Sequence, residues 1–259
     1  MVFLFPYKAD VVMQRWPVAN VILIVAMLAC MTQVHRIERL DHPLILHGWS
    51  PIGLLGHMWL HAGMLHLLGN MLFLWVFGNA VCARVGNGWY VPIFVGLGIV
   101  AGIVHLICSG MPCVGASGAI NGIVGMFLVF YPANSVRCVF SILVYTWKFR
   151  VRSGWFILFW LMFDIYGAST GESRIAYWAH LGGIAAGTML ALMMLKLRWV
   201  GLEASDRTLL DVLGHERAPV HPAANTPETP GKVYPQRREN VRTPFKSPHF
   251  HPRGPPRTT

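Results

Sequence analysis

The sequence predicts an all-α polytopic membrane protein, built as a bundle of six transmembrane helices followed by a disordered basic C-terminal tail. Composition and the grouping of apolar residues both lead to this fold class. Of the 259 residues, 54% are hydrophobic and only 12% are charged, whereas a soluble domain carries roughly a quarter charged residues. We therefore expect a cytoplasmic N-terminal segment at 1–16, a membrane domain at 17–200 and a Pro-rich basic tail at 201–259.

Six apolar runs are candidate spans, since about 20 apolar residues cross a bilayer and fewer suffice where it thins. In chain order they cover residues 17–32, 54–82, 90–109, 114–133, 152–168 and 175–198. The stretch at 136–150 mixes basic and aromatic residues, which indicates a loop at the membrane surface. An alternative for the first run is a signal peptide ending at Cys30, but its removal would leave five spans.

The distribution of Lys and Arg predicts the orientation. With both termini inside, the inner segments carry 18 of the 21 basic residues, 11 of them from Lys196 onward, and the outer loops carry three. Because cytoplasmic loops are enriched in Lys and Arg, both termini are predicted to be cytoplasmic, with a bacterial inner membrane as the expected location. The tail is nearly free of aromatic residues, and we expect it to lie near anionic lipid headgroups rather than on nucleic acid.

The five cysteines include no CxxC pair, so they predict neither a metal site nor a disulfide framework. We expect isolated apolar thiols; the alternative is that Cys108 and Cys113, which flank one short loop, pair in an oxidising compartment. No cofactor is predicted from the sequence.

A serine opens the fourth apolar run, in Gly115-Ala116-Ser117-Gly118. The first amides of a helix have no partner within the helix, and together with the helix dipole they can receive the oxyanion of an acyl-transfer reaction. Ser117 is therefore a candidate nucleophile. The alternative is that this stretch only packs helices, because Gly118 and Gly122 are four residues apart and small residues at that spacing allow close approach in membranes.

A histidine lies near the start of the sixth run, in Ala179-His180-Leu181-Gly182-Gly183. Gly183 and Gly187 are also four residues apart, and His180 lies on nearly the same helical face as Gly183. We expect Gly115, Gly118, Gly183 and Gly187 to serve helix packing and to bring His180 beside Ser117, where an imidazole can take the hydroxyl proton and later protonate the leaving amine. The alternative is a lone histidine bonded to a backbone carbonyl.

The second run carries His57, His61, His66 and Asn70. His66 and Asn70 are one helical turn apart and can present two neutral donors to an oxyanion. A metal site on His57 and His61 is the alternative. There is no HExxH, however, and the predicted spans contain one acidic residue, Asp164, although a zinc or proton-coupled site usually has carboxylate ligands. We therefore predict no metal and regard His57 and His61 as structural or loop-facing.

Taken together, these residues resemble the rhomboid family of intramembrane serine proteases. The resemblance covers about half the chain, from His57 to Gly187, and three motifs occur in the order of the family: His61 to Asn70, Gly115 to Gly118, and Ala179 to Gly183. It implies a six-helix bundle whose water-filled cavity opens to the outer face, and a Ser–His dyad of Ser117 and His180 without a carboxylate. It also implies an oxyanion hole of His66, Asn70 and the Ser117 amide, and single-pass membrane proteins as substrates.

Two departures from the family pattern bear on the site. Many members carry an aromatic ring four residues after the serine, where this chain has Asn121; it lies one turn from Ser117, and we hypothesise that it orients His180 by a hydrogen bond. Relatives often have Trp-Arg in the first outer loop, where this chain has Ile52-Gly53.

Three functions compete at this point. The first is an active intramembrane serine endopeptidase acting in the lipid bilayer. The second is a catalytically silent rhomboid-like protein that binds membrane clients, although silent members have usually lost the serine or the histidine. The third is a small transporter, which the carboxylate-poor spans disfavour.

Overall fold

The computed structural model describes residues 2–31, 42–142, 145–171, 175–201 and 207–214. Helices dominate, and three strands form one small sheet. In chain order the elements are β1 (Val2–Ala9), α1 (Val18–Met31), α2 (Pro51–Gly56), a 3-10 turn (His57–Trp59), α3 (Met64–Phe73), a π-helical turn (Leu74–Gly78), α4 (Asn79–Val85), α5 (Asn87–Cys108), α6 (Ser117–Phe130), β2 (Ser135–Ile142), β3 (Tyr145–Arg152), α7 (Ser153–Thr170), α8 (Tyr177–Lys196) and α9 (Leu209–Val212).

Each of the six predicted apolar runs contains a helix. Among the described residues, three helical stretches are long and apolar enough to cross a membrane: Met64–Val85, Asn87–Cys108 and Tyr177–Lys196. The helices α1 and α6 are apolar but shorter, at 14 residues each, and α7 has 18 residues. The predominantly helical membrane fold is thus confirmed, while the count of six spans stays a prediction.

The second predicted span begins at the wrong residue. It was expected from residue 54, but the long helix starts only at Met64. The preceding chain folds into α2 and the 3-10 turn, because Gly53 and Gly56 lie directly against the backbone of Ile45 and Leu44. Residues 51–63 are therefore not the first turns of α3 but a packed connection that leads into it.

The predicted surface loop at 136–150 is instead a β-hairpin. Strands β2 and β3 pair in antiparallel fashion, and β1 pairs with the other edge of β2, so the N-terminal segment completes a three-stranded sheet. Val136 and Cys138 pack into the helical core. On the same face, Phe149 opposite Cys138 and Trp147 nearer the hairpin tip are exposed. Because few of the apolar side chains are buried and the hairpin carries many charges, the sequence shows no clear alternation of apolar and polar residues.

The helix α6 lies at the centre of the bundle, with nearly all its side chains buried between α5 and α8. Glycines bring the backbones together. A methyl group at Gly183 would overlap the carbonyl oxygen of Gly118, and one at Gly187 would overlap that of Gly122. On the other side, a methyl group at Gly118 would lie 2.7 Å from Ala101 Cβ of α5. The predicted packing role of Gly118, Gly183 and Gly187 therefore agrees with these contacts.

A group of polar side chains joins α1 to the π-helical turn and α5. The Asn20 amide donates to the Leu74 carbonyl at 3.0 Å and to Asn79 Oδ1 at 2.8 Å, and the Tyr90 hydroxyl donates to Asn20 Oδ1 at 2.7 Å. The π-helical turn supplies one of these partners, the Leu74 carbonyl. Asn20 is thus fully bonded, as a polar side chain within an apolar bundle must be.

Most of the basic tail, predicted to be disordered, lies outside the described residues. Within it, Leu209–Val212 forms a single helical turn. The Asp211 carboxylate accepts hydrogen bonds from the backbone amide and the hydroxyl of Thr208, at 2.6 and 2.7 Å, as in a capping box.

The α6–α8 contact predicts a large cost for a single methyl group. We expect Gly187→Ala to separate the two backbones and to lower the free energy of unfolding by about 1–3 kcal/mol, the usual cost of overpacking. The measurement is thermal unfolding in detergent. Gly96→Ala is the control, because nothing lies within 4 Å of a methyl group at that helical position. If Gly187→Ala unfolded at the temperature of the control, this contact would not limit the packing of α6 and α8.

Candidate active site

Ser117 is the first residue of α6, and Gly115 lies two residues before it. Gly115 has φ +126°, and its amide donates to the His57 carbonyl at 2.8 Å. The loop before it is held by two hydrogen bonds between the backbones of Leu46 and Cys113. The serine therefore lies at the positive end of a helix dipole, where developing negative charge is stabilised.

His180 lies in the first turn of α8, and its Nε2 is 2.9 Å from Ser117 Oγ. The structure thus brings together the two residues that the sequence identified as nucleophile and base. The contact follows from the glycine packing, because Gly183 is one turn beyond His180 and touches Gly118, the residue after Ser117.

The other imidazole nitrogen of His180 has a partner that the sequence analysis did not assign. His180 Nδ1 is 2.9 Å from Asp164 Oδ1 of α7, and both side chains are mostly buried. An ionised carboxylate only accepts hydrogen bonds, so a neutral His180 bonded to one would donate from Nδ1 and could accept from the serine hydroxyl at Nε2. The expectation that no carboxylate contacts the Ser117–His180 pair is therefore wrong. The sequence signal was Asp164 itself, the one acidic residue in the predicted spans.

The suggested contact between Asn121 and His180 is not formed. The Asn121 side-chain amide donates to the Ser117 carbonyl at 3.0 Å, within its own helix. The imidazole nitrogen that an orienting group would hold is bonded to Asp164. Asn121 does lie one turn from Ser117, but at that distance its short side chain bonds the preceding turn of backbone, a common alternative for Asn in helices.

His66 and Asn70 both lie on α3. A methyl group built on Gly115 would lie 2.7 Å from His66 Cε1, 3.0 Å from His66 Nε2 and 3.7 Å from Ser117 Oγ, so the imidazole and the hydroxyl flank the same glycine. Asn70 is buried, and its Nδ2 has no hydrogen-bond partner. An unpartnered buried donor is costly, which is the arrangement expected of a group kept ready for an oxyanion.

Gly115, predicted to serve helix packing, lies just before α6, and a methyl group there would meet the His66 side chain of α3. Its positive φ is one that residues with a Cβ rarely adopt.

These side chains line a cavity of about 720 Å³. Its walls come from the N-terminal ends of α3, α6 and α8, the C-terminal ends of α5 and α7, and the loops between them. The β-sheet is attached at the other ends of α6 and α7, so the cavity and the sheet lie at opposite ends of these helices. The lining residues with polar side chains or ring hydroxyls are His66, Asn70, His105, Ser109, Ser117, Tyr177 and His180.

His57 and His61, the alternative metal ligands, make other contacts. His57 Nδ1 is 3.0 Å from the Gly53 carbonyl, which ties it to the turn of α2. His61 is buried against the edge of the His66 imidazole, with ring centroids 5.3 Å apart. Nowhere in the described part of the chain do three metal-ligating side chains come together. His105, which the sequence analysis did not single out, bonds the Met111 carbonyl at 2.9 Å beside the cavity.

A cysteine, Cys113, also lines the cavity. Burial raises the pKa of the Cys113 thiol to about 12, so at neutral pH it is a thiol and not the nucleophilic thiolate. Cys108 and Cys113 are both free, so the disulfide considered from the sequence is not formed.

Comparison with known proteins identifies the family. The sequence pattern of the Rhomboid domain family matches residues 48–197, more than half of the chain. The chain belongs to the rhomboid family. Family members are integral membrane proteins, and its proteases are intramembrane serine proteases that act on membrane proteins within the bilayer.

Three relatives show how far the similarity extends. The rhomboid protease GluP of Bacillus subtilis is 33% identical over 132 residues, 51% of this chain and 24% of the relative. The rhomboid protease GlpG of Klebsiella pneumoniae is 28% identical over 138 residues, 52% of this chain and 45% of GlpG. The mitochondrial rhomboid protein 1 of Saccharomyces cerevisiae is 28% identical over 149 residues, 54% of this chain and 41% of the yeast protein. The alignments thus span less than half the length of each relative.

The turn at Gly115 predicts a loss of reactivity that can be measured without a substrate. Gly115→Ala would strain the backbone and push the His66 ring away from Ser117, and we expect the rate of labelling by a fluorophosphonate to fall at least about tenfold. The control is Gly110→Ala, at another positive φ in the same loop, where the only atom near the new methyl group is the Leu106 carbonyl oxygen at 3.7 Å. Equal labelling of the two variants would mean that backbone strain alone, and not the position of His66, explains the effect.

Proposed function

We propose that this rhomboid is an intramembrane serine endopeptidase that hydrolyses a peptide bond in or near the transmembrane segment of single-pass membrane proteins. The observation that carries the proposal is the 2.9 Å contact between Ser117 Oγ and His180 Nε2 inside a cavity. A hydroxyl and an imidazole at that distance form the nucleophile and base of covalent acyl transfer.

In the first half of the reaction, Ser117 Oγ attacks the carbonyl carbon of the scissile bond while its proton passes to His180 Nε2. The carbonyl oxygen becomes an oxyanion, which accepts hydrogen bonds from the Asn70 amide, the His66 imidazole and the Ser117 backbone amide. The tetrahedral intermediate then collapses, the C–N bond breaks, and His180 returns the proton to the leaving amine. An ester between Ser117 and the new carboxyl end remains.

In the second half, water enters the cavity and gives its proton to His180 while its oxygen attacks the ester carbonyl. The same donors hold the second oxyanion, and His180 reprotonates Ser117 as the acid product leaves. The substrate must present an extended peptide to the serine, so a segment that leaves its helix easily is favoured, because backbone groups in lipid are otherwise held in internal hydrogen bonds.

A catalytically silent protein that binds membrane clients is the second candidate function. The intact Ser117–His180 contact favours the protease. The unpartnered Asn70 donor favours it as well, since pure binding would not require an unsatisfied amide at this place.

The function is tested with purified protein and a single-pass membrane substrate in liposomes. Wild-type protein should cleave it and react with a fluorophosphonate, whereas Ser117→Ala and His180→Ala should abolish cleavage. Asn70→Ala should still be labelled but should lower kcat by about 10²–10³-fold, the usual cost of losing one oxyanion donor.

The controls separate the two candidate functions. Unchanged thermal unfolding of the three variants would show that the losses are chemical. A wild-type protein that binds the substrate but neither cleaves it nor reacts with the label would support the silent candidate and contradict the protease.

We further propose that both termini are cytoplasmic and that the cavity opens to the outer face of a bacterial inner membrane. The supporting observation is the charge distribution, since the cavity loops hold few basic residues while Arg84, Arg137, Lys148, Arg150 and Arg152 lie at or beside the sheet end of the helices.

The orientation predicts that green fluorescent protein fused after Thr259 fluoresces and that alkaline phosphatase at the same place is inactive. Each reporter works on one side of the membrane only, so the pair gives opposite results for the two orientations. An active phosphatase fusion with a dark fluorescent protein would reverse the proposed orientation.

A further inference from the structure

The carboxylate of Asp164 is mostly buried and therefore needs a hydrogen-bond partner. It is a single acidic residue within an apolar helix, and a charged group in a membrane segment is costly unless it is paired. Its described partner is His180 Nδ1 at 2.9 Å. Asp164 also lies on the inward face of α7, since Phe156, Trp160, Asp164 and Gly167 follow one another at spacings of three or four residues.

The hydrogen-bond pattern fixes the tautomer of the base. Since the carboxylate accepts from Nδ1–H, the lone pair of the neutral imidazole is on Nε2 and faces Ser117 Oγ at 2.9 Å. With the other tautomer, Nε2 would carry a proton and could not accept one from the serine. We infer that Asp164 is a positioning residue that holds His180 in its reactive tautomer and ring orientation, and that α7 thereby controls the reactivity of Ser117. This inference rests on the proposed serine protease function.

The place of α7 is set by two different contacts. Toward α8, any side chain at Gly167 would overlap the ring of Tyr177; these two residues lie one turn from Asp164 and from His180 respectively. Toward α3, Phe156 and Trp160 both contact Phe73, with ring centroids 6.4 and 5.6 Å apart. The Asp164–His180 bond therefore forms only while the C-terminal half of α7 lies close against α8.

The same helix is a wall of the cavity. Gly167 and Ala168 of α7 line it together with Gly171. The outward face of α7 is apolar and exposed, as expected of a helix that faces lipid, and its exposed side chains include Trp155, Phe159, Met162, Phe163, Ile165 and Tyr166. A displacement of α7 that widens the cavity also removes the carboxylate from His180. When α7 moves to open the cavity from its side, Ser117 therefore becomes less reactive.

The first test is Asp164→Asn, assayed with a single-pass substrate in liposomes and by the rate of fluorophosphonate labelling. We expect kcat to fall about 10- to 100-fold, as when the partner that orients a functional histidine is lost, with KM nearly unchanged because Asp164 does not line the cavity. Labelling should slow by a similar factor, since the label reports on Ser117 without a protein substrate. Asp164→Glu, which keeps an accepting carboxylate, should recover part of the rate.

Ser169→Ala is the control for general effects on α7, because its exposed hydroxyl donates to the Tyr166 carbonyl of the same helix. It should leave kcat within about twofold. If Asp164→Asn kept full kcat and labelling while Ser117→Ala remained inactive, the positioning role would be rejected and the protease function would stand. Cleavage by Ser117→Ala would instead reject the function itself.

The second test asks whether α7 acts through Asp164. Gly167→Ala would force α7 away from Tyr177 and should lower kcat in the wild-type background. Combined with Asp164→Asn, it should add little further loss, because the bond it disturbs is already absent. Losses that simply multiply would show that α7 affects the reaction independently of Asp164, and this would overturn the proposed control by α7. This comparison does not use Asp164→Glu, so it still tests the proposal if Asp164→Glu is unstable.

Discussion

The close crossing of α6 and α8 is the constraint on which the rest of the molecule depends. Helices in a bilayer gain little from burying apolar surface against each other, so their association relies on close packing. Here Gly183 and Gly187 lie directly on the carbonyls of Gly118 and Gly122. This spacing brings the N-terminal ends of both helices to the same depth, and a wider crossing would hold the Ser117 hydroxyl and the His180 imidazole beyond hydrogen-bond distance.

Polar side chains inside the bundle fall into two groups with opposite properties. Asn20, Asn79 and Tyr90 satisfy one another and fasten α1 to the π-helical turn and α5. In the described part of the chain, the buried side-chain nitrogens without partners belong to His61, Asn70 and His105, at or next to the cavity. Among the described residues, polar side chains are thus bonded where Asn20 joins helices, and unpartnered nitrogens lie at or next to the cavity.

Much of this could be predicted from the sequence, because short motifs at helical spacing define which faces meet. Ser117, His180 and their glycines were identified in that way, and the contact between them follows from the spacing. Asp164 was seen but not assigned, since its partner is 16 residues away on another helix and no local pattern records that distance. The hairpin was missed because, among its described residues, only Val136 and Cys138 are buried on the apolar face, too few to establish a period of two.

The sheet has a consequence for how the chain is assembled. Strand β1 pairs with β2 from Val2 opposite Ile142 to Ala9 opposite Val136, a separation of more than a hundred residues, whereas β2 and β3 are neighbours in sequence. Contacts between distant segments form late, because long loops must close first. Strand β1 can therefore pair only after the helices up to α6 and strand β2 have been synthesised, while α7 and α8 have still to follow.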